Sequence, residues 1–411
     1  MNVQAPIPVP EASTKPTLAI PFGEFIGLMA ILMAMTALSI DIMLPALPEI
    51  GQTFGIGNAN DRQSVVTTYL LGLSIGQLVW GPLSDRFGRK TPLLAGLSIF
   101  AIATLAATFA HTFSWLLAAR LAQGLGGASA RTIAQAIVRD LFAGRQMARV
   151  MSTVMMVFII VPILAPSVGQ VVIGSGTWAN AFYVLLLVAC IAWGWSAIRL
   201  PETGGSAGPR LTLTAGILLV VGAPSTRVYG LAAGLMFGCL VAYISSAQQI
   251  FVDVFDLGRL FPIAFGSVAC AIALASFTNA RLVQRLGMRR LSHTALVAFI
   301  AVSSLLALIG AVSRPPLVVV WPLLAACFYL FGLMQSNFNA IAMQPVGQAA
   351  GTASALLGAF TTAAGALLGG LIARQFDGSI FPLALGFALL SLCAFMLIAA
   401  HEGRDRLFRG E

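Results

Sequence analysis

Three charged residues stand where charge is expensive. Asp41 is the only one of fourteen acids well inside an apolar run, and Arg120 and Arg131 share another such run. An ionised side chain at membrane depth costs about 3 kcal/mol or more, so each is a functional candidate by position alone. Burial and a neighbouring cation act in opposite senses on a carboxylate's hold on its proton, so a buried Asp beside an Arg can be poised to exchange one. The competing reading of Asp41 is an inert helix-end residue capping a bend at Pro45, and that of Arg120 is a static anchor between helices. Arg131 follows Arg120 by eleven residues, about 16 Å along a helix and nearly back on the same face. Two cations on one cavity wall favour an anionic or electron-rich ligand. Snorkelling of Arg131 toward the interface is the equal alternative.

The elements that must hold these residues are membrane helices. Of 411 residues, 58% are hydrophobic and 9% charged, against roughly 25% charged in a soluble domain. Mean hydropathy is +0.92. A soluble enzyme, a disordered chain and a nucleic-acid scaffold are excluded, since too few polar side chains exist to cover a globule. Apolar runs of spanning length fall at 22–45, 63–83, 91–110, 113–137, 147–173, 179–199, 212–250, 258–280, 291–312, 317–340, 351–375 and 379–401. Within 212–250 the helix lies in the part after Arg227, and 211–226 is apolar but too short and Gly/Pro-marked for a further span. These runs predict an all-α polytopic membrane protein of twelve helices. The expected divisions are an N-terminal tail (1–20), a first six-helix bundle (21–200), a linker (201–226), a second bundle (227–402) and a C-terminal tail (403–411).

Seventeen of the 23 Lys and Arg fall on loops of one parity, and Arg62, Arg259, Arg314 and Arg374 on the other. The positive-inside rule then places both termini in the cytoplasm. The five cysteines stand singly in apolar stretches, with no CxxC pair, and are expected as buried hydrophobes rather than disulfides or metal ligands. The N-terminus has no cleavable signal pattern. His111, His293 and His401 lie near loops or ends, far apart in topology, and no catalytic or metal cluster can be assembled from them. Gly88-Arg-Lys90-Thr91 lacks the upstream glycine of a P-loop, and Gly124-Leu-Gly126-Gly127 lies within an apolar helix where close packing explains it. No enzyme reading survives.

Between spans two and three stands Gly81-Pro-Leu-Ser-Asp85-Arg86-Phe-Gly88-Arg89-Lys90, and between spans eight and nine stands a second Gly-containing basic turn, Asn279 to Arg290. Such an echo predicts two pseudo-symmetric halves with a ligand site at the midplane between them. The first turn resembles the loop 2–3 signature of the major facilitator superfamily. Asp41-Ile-Met-Leu-Pro45-Ala-Leu-Pro48 resembles the span-one segment of its Bcr/CflA-type drug–proton antiporters. Arg120-Leu-Ala-Gln123-Gly124 and Val138-Arg139-Asp140 match segments of span four in that branch. Pro162-Ile-Leu-Ala-Pro166-Ser-Val-Gly169 is similar to the antiporter motif, although Gln170 stands where a second glycine is usual. Some relatives carry another acid earlier in span one, where this chain has Met33.

The resemblance implies a major facilitator fold in a bacterial inner membrane, working as a monomer without a cofactor. It implies export of small amphipathic compounds in exchange for protons, with small molecules, protons and lipid as partners and no nucleic acid. Asp41 and Arg120 would couple protons. Gly81, Asp85, Arg86, Gly88, Arg89, Arg139 and Asp140 would latch one conformation. Pro162, Pro166 and Gly169 would carry the antiporter motif. The expected cavity lining is Tyr69, Gln123, Arg131, Tyr243, Gln248, Asn337, Phe338 and Asn339. A symporter or uniporter importing a metabolite, and a non-transporting assembly factor or receptor, are the alternative uses of such a chain.

Overall fold

The computed structural model describes residues 20–142, 144–203, 213–403 and Leu407. The tail 1–19, residues 204–212 of the expected linker, and the tail beyond Gly403 apart from Leu407 lie outside the described residues. With them lie Lys15, Arg210, Arg404, Arg406 and Arg409 of the orientation count.

Every regular element among these residues is helical. The first bundle holds α1 (Phe22–Asp41), the short α2 (Leu47–Thr53), α3 (Ser64–Phe87), α4 (Lys90–Thr108), α5 (Phe113–Leu141), α6 (Gly144–Gly174) and α7 (Ala179–Arg199). A ten-residue helix, α8 (Leu213–Gly222), occupies the ambiguous stretch of the linker and packs on its neighbours α9 (Pro224–Gln248) and α13 (Ala350–Ala373). The second bundle is α9, α10 (Phe261–Leu286), α11 (Met288–Val312), α12 (Leu317–Met343), α13 and α14 (Phe381–Glu402). Its first helix starts at Pro224, where proline suits the opening turn because its missing N–H is unneeded there. Among the described residues twelve helices have 19 residues or more, and ten stretches are long and apolar enough to cross a membrane; one, Leu317–Ala373, contains both α12 and α13, and α5 is not among them. Arg120, Gln123, Arg131 and five glycines and serines dilute the apolar run of α5, so the helix richest in candidates is the one hydropathy alone undervalues.

The bundles meet along α3 with α13 and α6 with α10, while the turn after α1, Leu44–Ala46, meets α9. Within the first bundle α3 and α5 approach closely: a Cβ on Gly124 would collide with the Tyr69 carbonyl, and one on Gly72 with that of Leu121. Small residues that admit a neighbouring backbone are what drives helix association where lipid competes for apolar contacts.

Cys239 and Cys327 are buried, as expected, but Cys190, Cys270 and Cys393 face outward, where a small apolar side chain meets lipid at no cost. His293, near the start of α11, is fully buried in contact with Tyr229, whose hydroxyl bonds Glu402 at 2.8 Å.

Candidate functional site

A cavity of about 1240 Å³ lies between the bundles, lined by α1, α3, α5 and α6 from one and α9, α10, α12 and α13 from the other. It runs from Asp41 toward the end of the molecule that carries Arg86, Arg89 and Arg139, here called the basic face.

Asp41 is the last residue of α1. The helix stops there because Pro45 and Pro48 follow, and the chain continues as a 3₁₀ turn, Leu44–Ala46. Asp41 is 3% exposed and lines the cavity. Tyr243 of α9 lines the same cavity from the second bundle. Among the described residues no hydrogen bond or ion pair ends on its carboxylate. Tyr243 is held by rings, stacked on Phe265 at 5.6 Å and tilted against Phe328 at 4.5 Å, and its buried hydroxyl has no partner.

The structure does not bring Arg120 to Asp41. Arg120 is fully buried and donates to the Ser39 carbonyl at 3.1 Å, the Val65 carbonyl at 3.1 Å and Gln123 Oε1 at 2.6 Å. The Tyr69 ring lies 4.5 Å and the Phe182 ring 5.9 Å from its guanidinium carbon. The last carbonyls of a helix lack intrahelical donors, and Arg120 supplies one to Ser39. It therefore fixes the end of α1 that carries Asp41, from behind.

Of the eight expected lining residues, Arg131, Tyr243 and Asn339 face the cavity. Five lie elsewhere. Tyr69 sits beneath Arg120, and Gln123 links Arg120 to Thr104 at 2.7 Å. Asn337 bonds Asn279 at 2.7 Å, between α10 and α12, and Phe338 packs on Tyr229 at 5.8 Å. Asn337, Phe338 and Asn339 are consecutive, and steps of about 100° per residue cannot turn three neighbours to one side. Gln248 belongs to the seal described below.

At the basic mouth Arg89, 2% exposed, bonds Asp85 at 2.6 Å, Asp140 at 2.6 Å and Ser84 at 2.9 Å. Burial works against its charge, but Asp140 and Asp85 outweigh that and hold its pKa above the ordinary arginine value. Gly88 has φ +86°, a left-handed conformation that suits glycine, and a Cβ there would lie 2.7 Å from the Glu202 carboxyl. Glu202, unsuspected from the sequence, accepts from the backbone N–H of Arg89 at 2.5 Å and Lys90 at 3.2 Å, so an acid from beyond α7 caps the N-terminus of α4. Gly81, Arg86, Arg139 and Asp140 also line this mouth, with Arg86 lying 5.2 Å from the Phe87 ring.

The other end of the cleft is closed. Arg62, before α3, donates to Gln248 at 3.0 Å and Asp253 at 2.8 Å. Gln63 donates to Gln249, which in turn donates to Asn60 at 2.8 Å. Asn60 reaches the carbonyls of Arg374 and Phe376, and Arg374 pairs with Asp61 at 2.8 Å. Gln170, the departure from the antiporter motif, donates to the Gly258 carbonyl at 3.1 Å and adds another cross-bundle bond. Two of the four bases assigned to this side by the loop count, Arg62 and Arg374, are thus sealing residues. The sealing side chains of α9 depend on a π turn, Gln249–Val254. Residues five apart lie about 140° apart on an α-helix but come nearly into line where bonding runs i to i+5, which lets Gln248 and Asp253 share one guanidinium.

Pro162 and Pro166 lie inside α6, and Pro162 lines the cavity. A Cβ on Gly169 would strike the Ile42 carbonyl, so α6 passes against the turn next to Asp41.

The sequence profile of the Major Facilitator Superfamily matches residues 29–370. A bicyclomycin resistance protein homolog of Haemophilus influenzae is 28% identical over 93% of this chain and 98% of its own. An uncharacterized MFS-type transporter of Bacillus subtilis, YdgK, is 30% identical over 87% of this chain and 89% of its own. In fold, the partially occluded inward-open xylose transporter XylE of E. coli superposes with a TM-score of 0.72 at 14% identity, covering 92% of this chain and 97% of that one. Twelve helices in two bundles, a cavity between them closed at one end, and a profile match across most of the length agree: the chain belongs to the Major Facilitator Superfamily and is a multi-pass membrane transporter, not an enzyme.

Proposed function

We propose that the protein exports small amphipathic compounds in exchange for protons, with Asp41 as the group that both occupy in turn. The single observation behind this reading is an unpartnered, buried carboxylate on the wall of a cavity that runs to the basic face and is sealed at the other. With the basic face in the cytoplasm, as the loop charges predict, substrate enters from inside while Asp41 is ionised. After the bundles rock, a proton arriving from outside takes the carboxylate and displaces the substrate. Coupling is then a linkage in which each ligand lowers the other's affinity by the same factor. Arg120 serves by holding the end of α1 rather than by touching the proton. The name of the Haemophilus relative supports a drug-like cargo. The reading needs no cofactor and places the protein as a monomer in a bacterial inner membrane.

Proteoliposomes carrying Asp41→Asn test it. The variant is expected to keep substrate binding, lose the pH dependence of that binding and lose uphill efflux driven by a proton gradient, while Asp41→Glu keeps part of both. Uphill transport by Asp41→Asn with unaltered pH dependence would place the proton site elsewhere.

A further inference from the structure

We propose that the cavity selects dipolar ligands, taking a cationic or hydrogen-bond-donor group at Asp41 and an anionic or acceptor group at Arg131. This rests on the transport reading above and names its cargo.

Seven charged side chains line the cavity, and most are committed at its mouth. Arg89 bonds both Asp85 and Asp140, Arg86 lies over the Phe87 ring, and Arg139 is exposed. Deeper in, only Asp41 and Arg131 carry charge. Among the described residues neither has a hydrogen bond or ion pair. A charge withdrawn from water without a partner is strongly unfavourable, so each is half of an interaction that a ligand can complete. They do not complete one another. Arg120 is level with Ser39 at the end of α1, and Arg131 lies eleven residues further along α5, about 16 Å toward the basic face. Arg131 faces the cavity rather than snorkelling, and among the described residues no acid pairs with it.

The walls are equipped in the same sense. The Tyr243 hydroxyl, on a side chain 3% exposed, and Gln335 Oε1 are buried without partners, and both residues line the cavity. Phe237, Phe265 and Phe331 supply apolar surface. A ligand with an aromatic middle and opposite polar ends uses all of this.

The sign of coupling narrows the class further. Among the described residues Tyr243 is the titratable side chain that the second bundle contributes to the cavity opposite Asp41. Protonating Asp41 removes the attraction for a cationic end and leaves Arg131 as the one deep charge. A simple anion would therefore bind better with the proton, the wrong direction for exchange, and a simple cation would meet the field of Arg131. A zwitterion or a strongly dipolar neutral compound competes with the proton at one end and is held at the other.

Equilibrium binding to the purified full chain at neutral pH tests this with three matched probes in which a biphenyl middle separates the polar ends: 4′-(aminomethyl)biphenyl-4-carboxylic acid, the amine that lacks its carboxylate and the carboxylate that lacks its amine. The zwitterion is expected to bind at least about tenfold more tightly than either relative. Arg131→Gln should weaken the zwitterion about tenfold and bring the amine level with it, while Arg131→Lys, as a control for folding, keeps the wild-type order. Acidification should weaken the zwitterion and the amine and strengthen the carboxylate. An amine that binds best, an order unchanged by Arg131→Gln, or no binding of any probe overturns the proposal. If the order holds but a pH gradient drives no movement in vesicles, the dipolar site stands and the exchange reading fails.

Discussion

At the basic face the described ion pairs stay within one bundle: Arg89 with Asp85 and Asp140, Arg199 with Glu24, Arg289 with Glu402. At the opposite face they cross from one bundle to the other, Arg62 to Asp253 and Arg374 to Asp61. The same residue types do two mechanical jobs. Pairs inside a bundle tie helix ends together, so the six helices can turn as a body. Pairs between bundles hold one end of the cleft shut and must break whenever it opens. Depth separates them only in part: Arg89 and Arg62 are 2% and 10% exposed with partners Asp85 and Asp253 at 42% and 45%, whereas the Arg374–Asp61 pair is open on both sides, at 56% and 38%. Exposed pairs contribute little each, which suits a closure made and broken in every cycle.

The contrast can be broken at its strongest point first. Arg89→Ala strips a buried cation from two carboxylates and should destabilise the first bundle by about 2–3 kcal/mol, discounted from the fully buried case because Asp85 and Asp140 are partly exposed. Thermal unfolding in detergent measures it, and a melting temperature unchanged from wild type would contradict a tying role. Arg62→Gln should leave folding nearly intact and loosen the seal by about 1.4 kcal/mol, a tenfold shift in population. In a cysteine-free background, a cysteine at Thr36 in the cavity should then react about tenfold faster with an impermeant maleimide added from the sealed side. Equal labelling rates would mean that Arg62 does not hold the closure. Glu202→Gln keeps the hydrogen-bonding shape but removes the charge at the start of α4, for an expected loss of about 0.5–1 kcal/mol and a correspondingly small fall in melting temperature. Arg374→Ala should cost no more than about 0.5 kcal/mol. A larger effect on either transport or stability would show that exposed pairs at the seal act as a network.

Much of the architecture was legible because length, hydropathy and loop charge answer to the bilayer directly. The twelve spans, the echo between halves and the depth of Asp41 all follow from that constraint. The inward direction of a side chain does not. Tyr69, Gln123 and Asn337 are polar or amphipathic residues in apolar helices, the signature of a cavity wall, yet each is buried among helices of its own bundle. Gln248 was visible as a polar residue at a helix end, but its bond to Arg62 depends on a local change of helix type that composition does not announce. The Arg120–Asp41 pairing failed for a related reason: adjacency of spans says nothing about whether a guanidinium turns to a carboxylate or to carbonyls left open at a helix end. Glu202 lay in a segment that reads as a plain linker. A Gly followed by the start of a basic helix was its one available signal, since such a helix start seeks an anion.

The π turn at Gln249–Val254 has a consequence for how this chain tolerates length changes. A π turn is an α-helix that has absorbed one surplus residue, and α9 runs without a break up to it. Deleting a single residue there would let ordinary helical bonding resume with the apolar span nearly as long as before. The membrane would register almost no difference. Asp253 would then follow Gln248 by four residues, about 40° apart on an ordinary α-helix, and both would still turn toward Arg62, so the outer lock tolerates the loss of the surplus residue.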